Sequence, residues 1–270
     1  MMDKINSLSP VSEMMRSAGL EPKKSLGQNF LFDLNLTGKI ARSVPDIENS
    51  TVIEVGPGPG GLTRALLSAG ARHVIAIEKD KTTKPILDEI TTASDGRLEV
   101  VYADALKISV DDLVAGDYAI CSNLPYNVGT ELLIRWLHNL ENISSMTLMF
   151  QREVAERIVA RVGDKQYGRL SVLVALTADA KILFNVPRTA FTPAPKVESA
   201  VVQIIPKKGA CDTPLQNIER LTAKLFGNRR KMIRGNLPGI DWAQFGLIGT
   251  ERAEELSPEK FAEIARTIVI

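Results

Sequence analysis

The stretch that decides the fold reads Thr51-Val-Ile-Glu-Val-Gly-Pro-Gly-Pro-Gly-Gly-Leu-Thr-Arg-Ala-Leu-Leu67. A short apolar run typical of a buried strand leads into a loop with the spacing G-x-G-x-x-G, and a helical pattern follows until Gly70. Glycines such as Gly56 suit this loop because the backbone turns tightly and a ligand approaches without a Cβ in its way. The stretch predicts a strand, a ligand-binding loop and a helix, and the alternative is a tight turn that binds nothing.

Two prolines in the loop, Pro57 and Pro59, indicate which ligand it takes. A pyrophosphate cradle uses backbone N–H donors, which proline lacks, and the preceding Glu54 would disfavour a pyrophosphate. S-adenosylmethionine (SAM) has no phosphate, and its sulfonium and ammonium groups are cationic, so a carboxylate suits it. An NAD-dependent dehydrogenase is further disfavoured because no histidine suited to a hydride relay lies near the site.

Strand and helix patterns alternate along the chain around this stretch. Strands are predicted at 51–55, 73–77, 97–102, 118–121, 145–150 and 199–205, and helices at 32–44, 61–69, 130–140 and 153–162, with another ending near Thr92. Residues 170–176 fit either a helix or a strand, and Phe184 with 187–196 is typical of a proline-rich loop. The alternation predicts an α/β domain with a mostly parallel sheet.

The chain divides into two predicted domains. We expect the α/β domain to span 1–206, and within it residues 1–24 to be a mobile arm because they show no firm pattern. A linker at 206–214 leads to a small domain of short helices that spans 207–270.

Two further carboxylates follow predicted strands. Glu78 ends the second strand, 22 positions after Gly56, which is near the offset of roughly 20 at which a carboxylate reaches ribose hydroxyls. Asp104 follows the third strand, so both acids lie at the carboxyl edge of the sheet, where open α/β sheets bind ligands. Together with the glycine loop they predict a nucleoside site, although each acid alone fits a helix N-cap or a surface carboxylate.

The fourth strand leads into Asn123-Leu124-Pro125-Tyr126, which suits a planar amine substrate. Adenine N6 is a poor nucleophile because its lone pair is delocalised into the ring. The Asn123 side-chain oxygen and the Leu124 carbonyl can accept both N6 hydrogens as the nitrogen becomes tetrahedral. Pro125 fixes the turn and the Tyr126 ring can stack on the base, with no strong general base required. The alternative is a strand-ending proline turn with a packed tyrosine.

An aromatic and a basic cluster complete the candidate residues. Phe191 lies in a proline-stiffened loop, where an exposed ring would hold an unstacked base, unless it fills the core instead. The chain carries a net charge of only +1, but 207–234 contains eight basic and two acidic residues, whereas 235–270 contains three and six. The basic stretch predicts a phosphate-binding face or, alternatively, a solvated basic helix face; its central side chains are Arg229, Arg230, Lys231 and Arg234.

Composition excludes several classes of protein. The two cysteines, Cys121 and Cys211, cannot build a disulfide framework, and two histidines without a Cys/His cluster disfavour a zinc site. No apolar run approaches the roughly 20 residues of a membrane span, and the first residues lack a signal-peptide pattern. We therefore expect a soluble cytoplasmic protein, acting as a monomer without a metal ion or a membrane.

Five motifs together resemble the ribosomal RNA adenine N6,N6-dimethyltransferase family. Besides the glycine loop and Asn123-Leu-Pro-Tyr, these are Gln28-Asn-Phe-Leu, Tyr167-Gly-Arg-Leu-Ser-Val and Phe191-Thr-Pro-Ala-Pro-Lys-Val-Glu-Ser. Phe226-Gly-Asn-Arg-Arg-Lys-Met-Ile-Arg-Gly-Asn-Leu is similar to the small-subunit branch of that family. The resemblance extends from about Lys24 to about Gly239, and it is specific through the combination of motifs.

The resemblance implies a Rossmann-like class I methyltransferase fold with a seven-stranded mixed sheet and a small all-helical C-terminal domain. It implies that SAM is contacted by Asn29, Leu31, Gly56, Glu78, Asp104 and Asn123. Asn123, Tyr126 and Phe191 would handle a flipped adenine, and the basic cluster would grip phosphates. The implied reaction is dimethylation of two adjacent adenosines near the 3′ end of small-subunit (16S) rRNA during ribosome biogenesis.

Other functions remain open at this point. One is a large-subunit rRNA adenine methyltransferase of the antibiotic-resistance type, and another is a protein-glutamine methyltransferase, which usually has a second proline where Leu124 stands. A third is a ribosome-assembly or transcription factor that uses the fold only for binding. The intact glycine loop and Asn123-to-Tyr126 motif favour an enzyme over the binding-only alternative.

Overall fold

A seven-stranded mixed sheet forms the centre of the fold. The computed structural model describes residues 2–22, 28–207, 209 and 211–268. The strands are β1 (Phe30–Leu31), β2 (Thr51–Val55), β3 (His73–Glu78), β4 (Leu98–Tyr102), β5 (Tyr118–Asn123), β6 (Ile143–Gln151), β7 (Ala178–Val186), β8 (Phe191–Thr192) and β9 (Ser199–Pro206). The sheet order is β4-β3-β2-β5-β6-β9-β7, and β1 and β8 form a separate antiparallel pair. The first five strands in this order, β4, β3, β2, β5 and β6, run parallel to one another, whereas β9 runs antiparallel to both its neighbours.

Helices cover both faces of the sheet. They are α1 (Met2–Ser7), α2 (Val11–Ser17), α3 (Leu34–Ala41), α4 (Gly61–Ser68), α5 (Lys84–Ala93), α6 (Gly129–Leu137), α7 (Arg152–Val159), α8 (Arg169–Thr177), α9 (Leu215–Leu225), α10 (Ile233–Asn236) and α11 (Pro258–Thr267). Residues 170–176, for which two structures were open, are helical. The predicted α/β class is therefore confirmed.

The central strands are apolar throughout because both of their faces are covered. All five residues of β2 are buried, and alternate side chains enter opposite cores. Ile53 and Val55 join the core that includes α6 to α9, whereas Val52 joins the core that includes α3 to α5. This two-sided burial fixes the register of the sheet and hence the edge at which its strands end.

One strand of the seven-stranded sheet, β7, was missed by the sequence reasoning, as were the two-residue strands β1 and β8. Phe184, expected in a loop, belongs to β7, which is an edge strand and pairs with β9. β7 is half-exposed and has a register irregularity between Ile182 and Phe184, so its apolar residues do not alternate regularly. The expected clean strand signal is therefore absent from its sequence.

The prediction of a mobile arm over residues 1–24 is wrong for the part that the structure describes, residues 2–22. This segment forms α1 and α2, and Ile5 and Met14 are buried in the core beside α4. The buried Arg64 guanidinium on α4 donates hydrogen bonds to the carbonyls of Ile5 (3.1 Å), Leu8 (3.2 Å) and Ser9 (2.6 Å). The arm is thus capped and packed; residues 1, 23 and 24 lie outside the described residues.

The C-terminal region from 211 to 268 is built of α9 to α11 and two short 3-10 helices, Trp242–Phe245 and Ala253–Glu255. Its apolar side chains, such as Phe261, belong to the same core cluster as α8. The Tyr167 hydroxyl, just before α8, donates to the Leu256 carbonyl at 2.9 Å. The helical region therefore packs closely on the α/β part, and a domain boundary at 206/207 stays a prediction.

Three general features concern the described residues only. No helix there is both long and apolar enough to cross a membrane. No group of three or more His, Cys, Asp or Glu side chains comes together as a metal site would require. Cys121 is buried and Cys211 half-buried, and both are free thiols.

Candidate active site

An open cleft of about 1160 Å³ lies at the carboxyl ends of β2 to β5. β3 and β4 follow β2 on one side of the sheet, and β5 lies on its other side, so the strand order reverses here. Ligands of open α/β sheets bind at such a reversal. The sheet topology thus places a binding site where the sequence predicted one.

Ten of the predicted residues line this cleft. They are Asn29, Leu31, Gly56, Glu78, Asp104, Asn123, Leu124, Pro125 and Tyr126, together with Glu54. Phe191 and the basic cluster do not line it. The structure therefore brings the predicted cofactor and amine-binding residues together and leaves the other two groups apart from them.

The glycine loop allows another segment to close over it. An added Cβ at Gly58, which has φ +55°, would lie 2.8 Å from the Phe30 ring. One at Gly61 would lie 2.5 Å from the Leu31 carbonyl oxygen. The glycines therefore admit β1 at van der Waals distance, which explains physically why Asn29 and Leu31, otherwise inconspicuous in the sequence, reach the cleft.

Glu78 is almost fully buried, and the backbone holds both of its carboxylate oxygens. Oε2 accepts a hydrogen bond from the Gly58 N–H at 3.0 Å, and Oε1 accepts one from the Asp80 N–H at 2.7 Å. Burial raises the pKa of Glu78, and these N–H donors partly oppose that rise. Because a carboxylate has about four acceptor sites, Glu78 can still accept from hydroxyls in the cleft.

Asp104 has one oxygen engaged by the backbone and one by a cation. Its Oδ1 accepts from the Leu106 N–H at 3.1 Å, and its Oδ2 accepts from the Lys79 ammonium at 2.9 Å. The hydrogen bond from Lys79, followed by that from Leu106, lowers the pKa of Asp104. Lys79, which the sequence reasoning did not single out, lies in the cleft. Its ammonium would compete with a ligand in the cleft for the Asp104 carboxylate.

Glu54, the acid that precedes the glycine loop, is buried at the end of β2. Its side chain is only 1% exposed and its carboxyl accepts a hydrogen bond from the Thr63 hydroxyl at 2.6 Å. Burial raises the pKa of Glu54 to about 8, which favours the protonated carboxyl in the ligand-free chain. The preference of Glu54 for a cationic ligand stays a prediction.

The Asn123 amide is held in one orientation. Its Nδ2 donates to the Asn29 backbone carbonyl at 3.1 Å. Because that partner can only accept, the nitrogen must face it, and Oδ1 must point the other way. Within the described residues, no donor reaches Asn123 Oδ1 or the Leu124 carbonyl. The two acceptors that the sequence reasoning proposed are therefore available in the cleft.

Tyr126 is fixed at its far end. Its hydroxyl lies 2.7 Å from the Ser199 hydroxyl at the start of β9, and Ser199 is fully buried. Burial raises the pKa of Tyr126, so the phenol stays neutral near pH 7. Ser199 was not among the predicted site residues, although it ends the quoted motif that begins at Phe191. Its contact with Tyr126 could not be found from spacing.

The expected exposed ring at Phe191 is not observed. Phe191 is 3% exposed and lies in the core cluster with Phe30 and Leu31, because β8 pairs with β1 and Phe191 stands opposite Leu31. The alternative considered for Phe191, a ring that fills the core under its loop, describes this state. Its role in holding a base stays a prediction.

The basic cluster splits into two kinds of side chain. Arg229 Nε pairs with Glu254 Oε2 at 2.6 Å, and Arg229 Nη2 donates to the Asp164 carbonyl at 3.3 Å. Arg230, Lys231 and Arg234 are exposed and form no ion pair with any described residue. Arg229 thus has a structural contact, whereas the other three cations face solvent.

The fold and cleft together define a class I SAM-dependent methyltransferase, because Pro57 and Pro59 offer no N–H to a pyrophosphate, and acids and a held amide line the cleft at the strand ends. SAM is its methyl donor, as predicted. The family model described as "Ribosomal RNA adenine dimethylase" matches residues 19–268. The chain therefore belongs to the ribosomal RNA adenine dimethylase family, which confirms the predicted family and enzyme class.

Known relatives agree with this assignment. Proteins named "Ribosomal RNA small subunit methyltransferase A" from Chelativorans sp. and Paracoccus denitrificans are each 50% identical; they cover 98% of this chain, and the chain covers 99% and 98% of them. A dimethyladenosine transferase structure from Plasmodium falciparum has a TM-score of 0.77 at 25% identity, covering 87% of this chain and 95% of that chain. The 23S rRNA methyltransferase ErmE has a TM-score of 0.69 at 25% identity, covering 88% and 98%.

Proposed function

We propose that this enzyme dimethylates N6 of two adjacent adenosines near the 3′ end of small-subunit (16S) rRNA during ribosome biogenesis. Full-length relatives at about 50% identity carry the small-subunit name, which favours this substrate over large-subunit rRNA. The enzyme works in the cytoplasm on the small ribosomal subunit or its rRNA. It acts as a monomer, which sedimentation of the purified chain would test.

One observation carries the amine chemistry, namely the held Asn123 amide. Its Nδ2 is engaged by the Asn29 carbonyl, so Oδ1 and the Leu124 carbonyl can accept the two N6 hydrogens. Accepting both hydrogens turns the nitrogen lone pair out of the base plane. Acceptors fixed in advance cost no reorganisation when charge develops on the nitrogen.

Bound SAM supplies a methyl group that its sulfonium has already activated, so the transfer calls for no metal ion. The N6 nitrogen gains a positive charge on methylation, and Oδ1 of Asn123 and the Leu124 carbonyl stabilise that charge. The resulting ammonium is acidic and loses its proton to water without a strong base. Tyr126, fixed by Ser199, provides a ring face against which the base can stack.

Four side chains and the glycine loop would hold the cofactor. Glu78, oriented by Gly58 and Asp80, takes the ribose hydroxyls, and Asp104 takes the adenine end. Asn29 and Leu31 close over the loop from β1, and Gly56 lets the ligand approach the backbone. The cleft fits this assignment, because its acids lie at the ends of adjacent strands.

The basic side chains around Arg230 would hold rRNA phosphates. Arg230, Lys231 and Arg234 are exposed and unpaired among the described residues, as phosphate ligands need to be. Arg229 contributes a positive charge from its partly exposed guanidinium while it is tied to Glu254. Such contacts position the enzyme on RNA without reading its sequence.

The test is methyl transfer from labelled SAM to small ribosomal subunits that lack the modification, with naked 16S rRNA and large subunits as parallel substrates. We expect label only in adenosines of the 3′ region of small-subunit rRNA, recovered as N6,N6-dimethyladenosine. Labelling of large subunits would instead support the resistance-type alternative. Tight subunit binding without any transfer would support the binding-only alternative.

A further inference from the structure

We propose that the segment between α7 and α8, residues 160–168, is a second part of the RNA-binding surface, contacting phosphates beside the Arg230 cluster. The proposal deepens the proposed function and rests on it. The sequence reasoning did not assign this segment a role, because its cations lie about 40 residues before the basic stretch at 207–234.

Hydrogen bonds attach this segment directly to the C-terminal region. The Gly163 N–H donates to the Glu254 carbonyl at 3.2 Å, and Arg229 Nη2 donates to the Asp164 carbonyl at 3.3 Å. Arg229 Nε pairs with the Glu254 carboxylate at 2.6 Å, which closes the connection. The segment therefore lies against the residue that immediately precedes Arg230.

Aromatic packing secures the end of the segment. Tyr167 is buried, its ring lies edge-on to Phe226 at 6.1 Å, and its hydroxyl donates to the Leu256 carbonyl. Phe226 in turn stacks on Phe261 at 5.5 Å. Because these contacts are in the core, the exposed residues before Tyr167 are held at a fixed place relative to the Arg230 cluster.

The exposed side chains of the segment include two cations and one acid. Arg161 and Lys165 are exposed, as is Arg169 at the start of α8, and none forms an ion pair with a described residue. The one acid in the segment, Asp164, accepts the Arg161 backbone N–H through Oδ2 at 2.8 Å. Of the acids on neighbouring elements, Glu254 is paired with Arg229, and Glu156 on α7, which accepts from the Gln166 amide at 3.4 Å, is paired with Arg152.

Phosphodiester RNA is the occupant that these charges favour. The segment adds Arg161 and Lys165 to a surface that already has three unpaired cations. Of the neighbouring acids, Glu254 and Glu156 are paired with arginines, and Asp164 keeps its charge. Two cationic edges at a fixed separation can engage phosphates at two places and so set the orientation of the RNA. An acidic protein could bind the same charges, and the test below distinguishes it from RNA.

The test compares Lys165→Glu and Arg161→Glu with Lys181→Glu as the matched control. Lys181 is exposed on β7 and stands opposite Gln203, whose side chain bonds Ser43 on the α3 side of the sheet. Binding to unmodified small subunits is measured between about 50 and 200 mM salt. We expect each test variant to bind several-fold more weakly and to flatten the slope of log K against log salt by about 0.7–0.9 per lost phosphate contact.

Lys181→Glu should leave both affinity and slope near wild type, and SAM affinity should be unchanged in all three variants. Test variants with wild-type affinity and slope would overturn the proposal and leave an acidic protein as the partner to seek. Methylation of small subunits by the wild-type enzyme is measured first. If no methylation is found, it is the proposed function that fails, and not the assignment of this segment. The two failures are thereby distinguished.

The Arg229–Glu254 pair gives an independent test. Removing an acid from a cationic surface should strengthen RNA binding if only net charge matters. If the pair positions the segment, Glu254→Ala should weaken subunit binding several-fold, and Glu254→Gln, which keeps a hydrogen-bond acceptor, should restore part of the loss. Stronger binding by Glu254→Ala would contradict the positioning role.

Discussion

The strand-end cleft and the basic surface around Arg230 use polar groups in opposite ways. In the cleft, Glu78 and Asn123 are each fixed by backbone partners at 2.7–3.1 Å. On the surface, Arg230 and Lys231 face solvent without partners among the described residues. The difference indicates that methyl transfer depends on the positions of individual atoms, whereas attachment to rRNA depends on accessible charge.

This contrast has a measurable consequence in salt. Exposed charges are screened over a Debye length of about 8–10 Å near physiological salt, whereas buried hydrogen bonds are hardly screened. Substitutions in the cleft should therefore cause losses that salt does not change. Substitutions on the basic surface should cause losses that shrink as salt rises.

The largest effect is expected for Asn123→Ala, which removes the acceptor aligned on the adenine amine. Losing one preorganised group of this kind typically lowers the rate by about 10²–10³-fold. The measurement is the single-turnover rate at saturating SAM and small subunits. Subunit affinity should be unchanged and the loss should be equal at low and high salt; a rate within a few-fold of wild type would refute the role of Asn123.

The next effect concerns Glu78→Ala, which removes a carboxylate that two backbone N–H groups aim into the cleft. A charged acceptor of hydroxyl hydrogen bonds contributes on the order of 1.5–3 kcal/mol, so SAM affinity should fall by roughly 10–100-fold. Calorimetry on folded protein measures it. Glu99→Ala, an exposed acid on β4 outside the cleft lining, is the control and should bind SAM normally.

A third effect is a pH dependence of stability that Glu54 causes. The pKa of Glu54 is raised to about 8 by burial, above the ordinary value of 4.5, so the folded state holds the proton more tightly than the unfolded chain. Its contribution is complete below about pH 4.5 and is lost as pH rises through about 8, with a slope of at most about 1.4 kcal/mol per pH unit. Subtracting the free energy of unfolding of Glu54→Gln from that of wild type should reveal this fall; a flat difference between pH 5 and 8 would contradict the shifted pKa.

The cleft was largely predictable from sequence. β2, β3 and β5 are short apolar runs; Gly56 follows β2 directly, and Glu78 and Asn123 end β3 and β5. Parallel pairing brings the ends of such strands to one edge. Strand periodicity and the direction of pairing are local properties. They therefore placed Gly56, Glu78 and Asn123 at one edge without knowledge of any tertiary contact, whereas Asn29 and Leu31 were predicted from the family resemblance alone.

The remaining features depend on contacts between distant parts of the chain. Asn123 is oriented by a carbonyl 94 positions away, and Tyr126 by a hydroxyl 73 positions away. The burial of Phe191 follows from its pairing with Leu31, and the Arg229–Glu254 pair joins separate turns of the C-terminal region. Periodicity carries no information about such partners. For this reason the sequence reasoning expected an exposed Phe191 ring and did not distinguish Arg229 from the other three cations.

Lys79 combines a feature of each region, an exposed charge and a place in the cleft, and its substitution gives the smallest expected effect. It is a mostly exposed cation, yet it lies in the cleft and occupies Asp104 Oδ2 at 2.9 Å. In the proposed binding mode this ammonium repels cationic SAM and shares Asp104 with the adenine end of the cofactor. An exposed ion pair contributes only about 0–1 kcal/mol, so Lys79→Met should strengthen SAM binding by no more than about five-fold.

Salt decides whether Lys79 acts through charge. If it does, the gain in SAM affinity of Lys79→Met should be largest at low ionic strength and should fade towards wild type near 1 M salt, where the Debye length is about 3 Å. Lys79→Met can strengthen SAM binding in two ways, by freeing Asp104 and by removing charge repulsion. In an Asp104→Asn background the part that comes from freeing Asp104 should disappear, and the part that comes from removing the repulsion should stay. Weaker binding by Lys79→Met at every salt concentration would mean that the lysine itself holds the cofactor, and the cleft would then share the charge-based binding of the basic surface.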